Sequence, residues 1–96
     1  LGSGPGGIEL AVASEAPESV IDCLDLNPGL MDLGNARAAE LRLPVRFTPA
    51  DLNKVDIARN EYDVVFCHAS LHHLLELERV SMQILAALRQ NGRLVV

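Results

Sequence analysis

The spacing of apolar positions along the chain predicts alternating helices and strands. A helical period begins at Gly7, places Ile8, Ala11 and Val12 on one face, and ends before the next proline, because proline cannot continue a helix. The apolar run 20–24 that follows is short and typical of a strand, and it leads directly into an acidic residue. This part of the chain therefore predicts one helix followed by one strand.

The same alternation continues through the middle of the chain. Residues 28–41 carry apolar side chains at near-helical spacing after Asn27, which is a suitable N-cap. Gly34 weakens this predicted helix by up to about 1 kcal/mol relative to alanine, so it indicates a close packing contact. The alternating stretch 45–48 then predicts a strand, and a polar loop runs from it to Asn60.

The last third of the chain contains the strongest strand signal and the longest predicted helix. Residues 62–67 are nearly all apolar, as expected for a strand that is covered on both faces. Four apolar residues of the next helix share one side: Leu77, Val80, Ile84 and Leu88. Asn91-Gly92 is predicted to stop this helix, and another strand begins at Arg93. Strands alternating with helices in this way predict an α/β fold with a mostly parallel sheet.

Composition narrows the class of protein. The 96 residues are 49% hydrophobic and 22% charged, which is ordinary for one small globular domain. The formal net charge of −5 argues against binding to a nucleic-acid backbone, which needs a basic surface. Cys23 and Cys67 are too few for a disulfide framework, and both lie in apolar runs, so we expect buried free thiols. No signal peptide or membrane-spanning run is apparent, so we expect a cytoplasmic protein.

The predicted elements are arranged around the glycine-rich stretch 1–7, Leu-Gly-Ser-Gly-Pro-Gly-Gly. Glycine lets a ligand approach the backbone closely, and the helix that follows presents unpaired N–H groups to a polar or anionic group. Gly2, Gly4 and Gly7 fit the G-x-G-x-x-G pattern of dinucleotide-binding proteins. Gly2, Gly4 and Gly6 fit a second pattern, G-x-G-x-G. The stretch alone leaves both patterns open, together with a flexible segment that binds nothing.

Two acidic residues follow predicted strands. Asp25 lies 23 residues after Gly2, close to the offset at which an acid accepts hydrogen bonds from ribose hydroxyls. Asp51 follows the next strand, and its carboxylate could accept from the exocyclic amino group of adenine. Because ligands of open parallel sheets bind at the carboxyl ends of the strands, we expect both acids at one site. The alternatives are a solvated helix-start residue for Asp25 and a turn residue for Asp51.

Cys67 ends the last complete predicted strand, and three histidines follow it: His68, His72 and His73. We expect no metal site, because these residues lack the spacing of standard zinc ligands. One histidine could act as a general base near an acceptor, since histidine titrates near neutral pH. The alternative is that the histidines cap the loop and line the mouth of a pocket.

Five segments in register resemble class I S-adenosylmethionine-dependent methyltransferases over nearly the whole chain. They are residues 1–6, Asp25-Leu26-Asn27-Pro28 with Met31, Pro49-Ala50-Asp51-Leu52, residues 63–66 leading into Leu71-His72-His73-Leu74, and residues 88–96. The resemblance implies a Rossmann-like three-layer α/β/α sandwich, truncated at both ends, in which residues 1–96 form the S-adenosyl-L-methionine-binding core. The chain departs from the family pattern at Ser3, where cysteine or threonine is frequent, and at Asn91, where proline or glycine is.

The resemblance also implies which residues bind the cofactor: Gly2, Ser3, Gly4, Gly6, Asp25, Leu26, Asp51, Leu52 and His68. The glycine loop would pass under the methionyl part. Asp25 would hold the ribose, and Leu26 would pack on the adenine. Asp51 and Leu52 would frame the amino edge of the adenine, and His68 would lie near the methionyl group.

The implied reaction is transfer of a methyl group from S-adenosylmethionine to an acceptor by in-line displacement, with the protein aligning the two reactants. The acidic net charge favours a small-molecule acceptor over nucleic acid. Neither a membrane contact nor an oligomeric state is indicated. An NAD-dependent oxidoreductase built on the same loop and acid remains an alternative, as does a non-catalytic cofactor-binding or scaffold domain.

Overall fold

The computed structural model describes residues 1–16, 18–67 and 75–96. Within them the elements are, in chain order, α1 (Gly7–Glu15), β1 (Ile21–Asp25), α2 (Pro28–Leu41), β2 (Val45–Pro49), β3 (Tyr62–Phe66), α3 (Leu77–Ala87) and β4 (Leu88–Val95). β1 pairs with β2 and β3 pairs with β4, both in parallel, which confirms the predicted strand direction. The chain divides into two compact units, residues 2–50 and Leu1 with residues 51–96. None of the described helices is long and apolar enough to cross a membrane.

The unit of residues 2–50 has a core between its two strands and two helices. Its buried residues are Leu10, Ala13, Cys23, Met31, Ala38, Val45 and Phe47. The apolar face predicted for α1 is not the buried one, because Ile8 and Val12 are 48% and 50% exposed while Leu10 and Ala13 are buried. Apolar residues occur all round this short helix, so their spacing does not select one face.

Helix α2 has the predicted bounds, and its ends show why. The side chain of Asn27 accepts a hydrogen bond from the N–H of Leu30 at 3.2 Å, as an N-cap does. At the other end Arg42 adopts a left-handed conformation with φ 55°. A Cβ on Gly34 would lie 2.7 Å from the ring of Phe47, so the predicted close packing contact at this glycine is confirmed.

Asn35 ties α2 to β2 next to that contact. Its Nδ2 donates to the carbonyl of Phe47 and its Oδ1 accepts from the N–H of Phe47, both at 2.8 Å. The side-chain amide therefore satisfies the backbone of Phe47 as a neighbouring strand would. This pair of hydrogen bonds holds the Phe47 ring, which is 3% exposed, in a fixed place in the core.

The unit formed by Leu1 and residues 51–96 has a separate core. Val65, Cys67, Val80 and Ile84 are buried together, and three partly buried residues pack against them: Leu1, Tyr62 and Leu88. The N-terminal amine of Leu1 donates to the carbonyl of Phe66 at 2.6 Å, within this unit. Val64 is 54% exposed, so the expectation of a strand covered on both faces is wrong for the described residues.

The predicted end of the third helix is also wrong. α3 ends at Ala87, and Leu88 already pairs with Tyr62 in β4. Asn91, with φ 68°, lies where the register between β3 and β4 shifts. An Asn-Gly pair favours positive φ, which serves a β-bulge as well as a helix stop, and the local sequence does not distinguish the two.

Candidate functional site

Backbone hydrogen bonds hold the glycine loop against the end of β1. The N–H of Gly2 donates to the carbonyl of Leu24 at 2.7 Å. Gly2, Gly4 and Gly6 have φ values of 71°, 57° and 78°, a region that residues with a Cβ avoid. Gly7 instead is the first residue of α1. The alternating positive φ values favour the G-x-G-x-G pattern over G-x-G-x-x-G.

Gly4 and Gly6 lack side chains for different reasons. A Cβ on Gly6 would lie 2.2 Å from two carbons of the Phe47 ring, so the core requires glycine there. A Cβ on Gly4 would have no atom within 4 Å, so Gly4 borders open space. A ligand can therefore approach the backbone of this loop at Gly4, whereas Gly6 faces the protein interior.

The carboxylate of Asp25 joins the glycine loop to the residues after β1. Its Oδ2 accepts from the N–H of Gly4 at 2.8 Å, and its Oδ1 accepts from the N–H of Asn27 at 3.2 Å. The N–H of Ala50 donates to the backbone carbonyl of Asp25 at 2.8 Å. A carboxylate offers about four lone-pair sites, so Asp25 keeps capacity for two hydroxyl donors. The structure thus brings together the predicted loop and the predicted ribose acid.

Ser3 precedes Gly4 in the sequence, and Leu26 follows Asp25. The hydroxyl of Ser3 donates to the carbonyl of Gly4 at 3.2 Å, and its own carbonyl accepts from the N–H of Gly6 at 3.2 Å. Leu26 directly follows Asp25 and is 68% exposed. An apolar side chain so exposed is available to a ligand, and the cofactor contacts of both residues stay predictions.

Asp51 begins the loop that follows β2, and it acts as a turn residue there. Its Oδ1 accepts from the backbone N–H of Asn53 at 2.9 Å and from Nδ2 of the same residue at 3.2 Å. Within the described part of the chain, its Oδ2 has no hydrogen-bond partner and remains able to accept from a ligand. Leu52 is 8% exposed, so little of its side chain is available for its predicted contact with adenine.

Two side chains of α3 fasten the loop of residues 53–57. The guanidinium of Arg79 donates to the carbonyls of Asn53, Lys54 and Val55 at 3.3, 3.1 and 3.0 Å, and to Oδ1 of Asp56 at 2.9 Å. Oε1 of Gln83 accepts from the N–H of Ile57 at 3.0 Å. No sequence pattern indicated these contacts, because most of the bonded groups are backbone atoms more than twenty residues away.

The two cysteines do not contribute a reactive group to the site. Cys23 and Cys67 are free and buried, as predicted. Burial, and then the nearby charge of Glu9, raises the pKa of Cys23 to about 12, and burial also raises the pKa of Cys67. Both thiols are therefore protonated and unreactive at neutral pH.

The predicted roles of His68, His72 and His73 lie outside the described residues. No group of three metal-ligating side chains occurs within residues 1–16, 18–67 and 75–96. The expected absence of a metal and the possible histidine base both stay predictions.

Comparison with known proteins identifies the family. A methyltransferase-domain family matches residues 1–92. The chain belongs to this family. The chain is similar to the structure of the YcgJ protein from Bacillus subtilis, with a TM-score of 0.83 and 21% sequence identity. The similarity covers 97% of this chain and 39% of that protein. The chain is also similar to the structure of an S-adenosylmethionine-dependent methyltransferase from Mesorhizobium loti, with a TM-score of 0.82 and 25% sequence identity. This similarity covers 95% of this chain and 41% of that protein.

These comparisons confirm two predictions made from the sequence. The Rossmann-like α/β fold class is confirmed, and so is the resemblance to class I S-adenosylmethionine-dependent methyltransferases. The chain spans about two fifths of the length of the two structures, 39% and 41%. None of the curated proteins compared with the chain matches it.

Proposed function

We propose that the protein containing this chain transfers a methyl group from S-adenosyl-L-methionine to an acceptor, and that residues 1–96 form a cofactor-binding core. The observation that carries the proposal is the 2.8 Å hydrogen bond from the N–H of Gly4 to Oδ2 of Asp25. It joins the glycine loop to the acid that we propose binds the ribose. Membership of the methyltransferase-domain family supports the same conclusion over the NAD-dependent alternative and the non-catalytic one.

Features of the individual residues that are proposed to bind the cofactor support the proposal. Gly4 borders open space, which leaves room for the methionyl part beside the loop. Gly6 caps α1 without a side-chain hydrogen bond, so the first N–H groups of that helix are open to a polar group. Asp25 keeps acceptor capacity for the ribose hydroxyls, and the exposed Leu26 can pack on the adenine. Asp51 is proposed to accept from the adenine amino group.

Methyl transfer makes modest demands on the protein. When bound, S-adenosylmethionine supplies an activated methyl group that an acceptor nucleophile takes by in-line displacement. The chain contributes alignment, which lowers the barrier by about 7–11 kcal/mol in well-oriented cases. Asp25 and the glycine loop are proposed to serve that alignment by holding the ribose and the methionyl part of the ligand. A base is needed only for an acceptor that must lose a proton first, and His68, His72 and His73 are the candidates.

The acceptor is proposed to be a small molecule. A net charge of −5 opposes the approach of a polyanion such as nucleic acid, unless another part of the protein supplies a basic surface. A cytoplasmic location is proposed alongside it, and two free buried thiols are compatible with a reducing compartment.

Calorimetric titration of the full-length protein tests the cofactor proposal. S-adenosylhomocysteine and NAD are titrated separately into the unchanged protein, into Asp25→Asn, and into Asp32→Asn, which removes the same charge from an exposed position on α2. We expect S-adenosylhomocysteine to bind, NAD not to bind, and Asp25→Asn alone to weaken binding at least about tenfold, since bonds to a charged acceptor are worth about 1.5–3 kcal/mol. Binding of NAD, or of neither ligand by folded protein, would contradict the proposal.

A further inference from the structure

The side-chain amide of Asn53 lies between Asp51 and the backbone that precedes α3. Its Nδ2 donates to Oδ1 of Asp51 at 3.2 Å. Its Oδ1 accepts from the N–H of Leu75 at 2.9 Å and from the N–H of Glu76 at 3.0 Å. A flipped amide would set its oxygen against a carboxylate and its NH₂ against two N–H donors, so the surroundings fix its orientation. This position therefore needs a donor on one side and an acceptor on the other.

Asn53 is itself held in place by α3. The helix has no side-chain cap of its own at Glu76, and the oxygen of Asn53 bonds to the backbone at this point instead. One turn further along, Arg79 donates to the carbonyl of Asn53 at 3.3 Å. Both the backbone and the side chain of Asn53 are thus anchored to the N-terminal part of α3, a helix that is held in a buried core by Val80 and Ile84. Such an anchored amide can hold a neighbouring group in one orientation.

The neighbouring group is the carboxylate of Asp51. Two donors from Asn53, the backbone N–H at 2.9 Å and the amide at 3.2 Å, converge on its Oδ1. They fix the rotation of the carboxylate and leave Oδ2 as the oxygen that can accept from a ligand. Without the amide of Asn53, the backbone N–H of Asn53 would be the one remaining donor, among the described residues, that restrains the rotation of the Asp51 carboxylate.

We propose that Asn53 is a positioning residue that orients Asp51 and so makes the site selective for a purine with a 6-amino group. The inference rests on the proposed function, in which Asp51 accepts from the adenine amino group. A site built to hydrogen-bond one group discriminates against an analogue that lacks it, because its own polar atom is then left unpaired. Asp51 is only half-buried, so the discrimination is expected to be about tenfold rather than several thousandfold.

Two substitutions separate the two ends of the amide. Asn53→Asp keeps an acceptor for the N–H groups of Leu75 and Glu76 but replaces the donor that faces Asp51 by a negative charge. Asn53→Ala removes both ends and is expected to destabilise the fold as well. Asn60→Asp adds the same charge at an exposed position with φ 54°, a conformation that aspartate tolerates, and serves as the matched control.

The experiment measures binding of two ligands to the full-length protein and these variants by calorimetry. The ligands are S-adenosylhomocysteine and its analogue with unsubstituted purine in place of adenine. We expect the unchanged protein and Asn60→Asp to prefer S-adenosylhomocysteine about tenfold. Asn53→Asp should bind the purine analogue as tightly as the unchanged protein does. It should lose most of the preference for S-adenosylhomocysteine, while its urea unfolding midpoint stays near that of Asn60→Asp.

The outcomes distinguish a positioning role of Asn53 from a purely structural one. If Asn53→Asp weakens both ligands by one factor, Asn53 only supports the fold and the inference is overturned. If the unchanged protein binds both ligands equally, Asp51 does not recognise the amino group, and the inference fails while the methyltransferase proposal stands. Failure of the unchanged, folded protein to bind either ligand overturns both.

Discussion

The glycine loop and the loop of residues 51–57 are positioned by different kinds of contact. The glycine loop is held by its own backbone angles, by the carboxylate of Asp25, and by the Phe47 ring against Gly6. The loop of residues 51–57 has ordinary side chains and is fastened by long polar ones from α3, chiefly Arg79. A loop that leaves ligand space on one side must be supported from the other. A single added methyl group should therefore destabilise the glycine loop, and the loop of residues 51–57 should tolerate the loss of one hydrogen-bonding side chain.

Gly6→Ala should produce the largest effect. The added Cβ would meet the Phe47 ring at 2.2 Å and would force alanine to adopt φ 78°. A left-handed residue costs about 1–2 kcal/mol and overpacking about 1–3 kcal/mol, so the free energy of unfolding should fall by about 3 kcal/mol. Urea unfolding of the full-length protein measures the change.

Gly4→Ala is the matched control for that prediction. It carries the same backbone penalty, about 1–2 kcal/mol, but meets no atom within 4 Å. It should therefore weaken S-adenosylhomocysteine binding more than it weakens the fold. Adding Phe47→Leu to Gly6→Ala should recover part of the lost stability, a coupling that the double-mutant cycle measures directly. Equal destabilisation by the two alanines would show that the Phe47 contact does not limit the loop.

Arg79→Ala should have a smaller effect, confined to the other loop. It removes hydrogen bonds to three carbonyls that water can partly replace, because the side chain is 36% exposed. We expect a loss of about 1–2 kcal/mol, given about 0.5–1.5 kcal/mol for each intramolecular hydrogen bond. Hydrogen exchange should accelerate at the amides of residues 54–57 and not in α2.

Asp56→Ala separates the ion pair from the backbone contacts of Arg79. Asp56 is 87% exposed, so its pairing with Arg79 at 2.9 Å should contribute no more than about 0.5 kcal/mol. A loss as large as that of Arg79→Ala would mean that the ion pair, rather than the backbone contacts, holds the loop.

The smallest effect at neutral pH concerns Cys23, which lies in β1 before Asp25. Its pKa is raised from 9.0 to about 12, so the folded state keeps a proton that the unfolded state loses. This contribution to stability is complete below pH 9.0 and is lost as the pH rises towards about 12. Urea unfolding at neutral pH and at about pH 11 should show a larger decrease for the unchanged protein than for Cys23→Ala. Parallel decreases would contradict the raised pKa.

Most of the secondary structure, and part of the site, could be predicted because the signals are local. Asn27 marks the start of α2 by bonding to a residue three positions away. The alternating glycines mark the loop because only glycine adopts positive φ without strain, as it does at Gly2, Gly4 and Gly6. Gly34 indicated a packing contact because glycine inside a helix is unfavourable without one. The spacing from Gly2 indicated Asp25, whose carboxylate bonds to the glycine loop, while its ribose contact stays a prediction.

Other features could not be predicted, because they depend on which distant groups meet. The apolar residues of α1 surround the helix, and packing alone selects Leu10 and Ala13. Asn91-Gly92 was predicted as a helix stop, and pairing with β3 instead puts these two residues at a register shift within β4. Asn53 showed no signal of any kind, since its partners Leu75 and Glu76 contribute only backbone N–H groups.

The sequence by itself determined the order of elements, the glycine-rich loop and the family of the domain, because each depends on residue types at short, fixed spacings. Only the tertiary structure decided that Gly6 faces Phe47 while Gly4 faces open space. It also decided that Asp25 bonds to a loop residue 21 positions away. Such contacts form when parallel strands bring distant segments to the same edge of a sheet, and no local pattern records which atoms will then face each other.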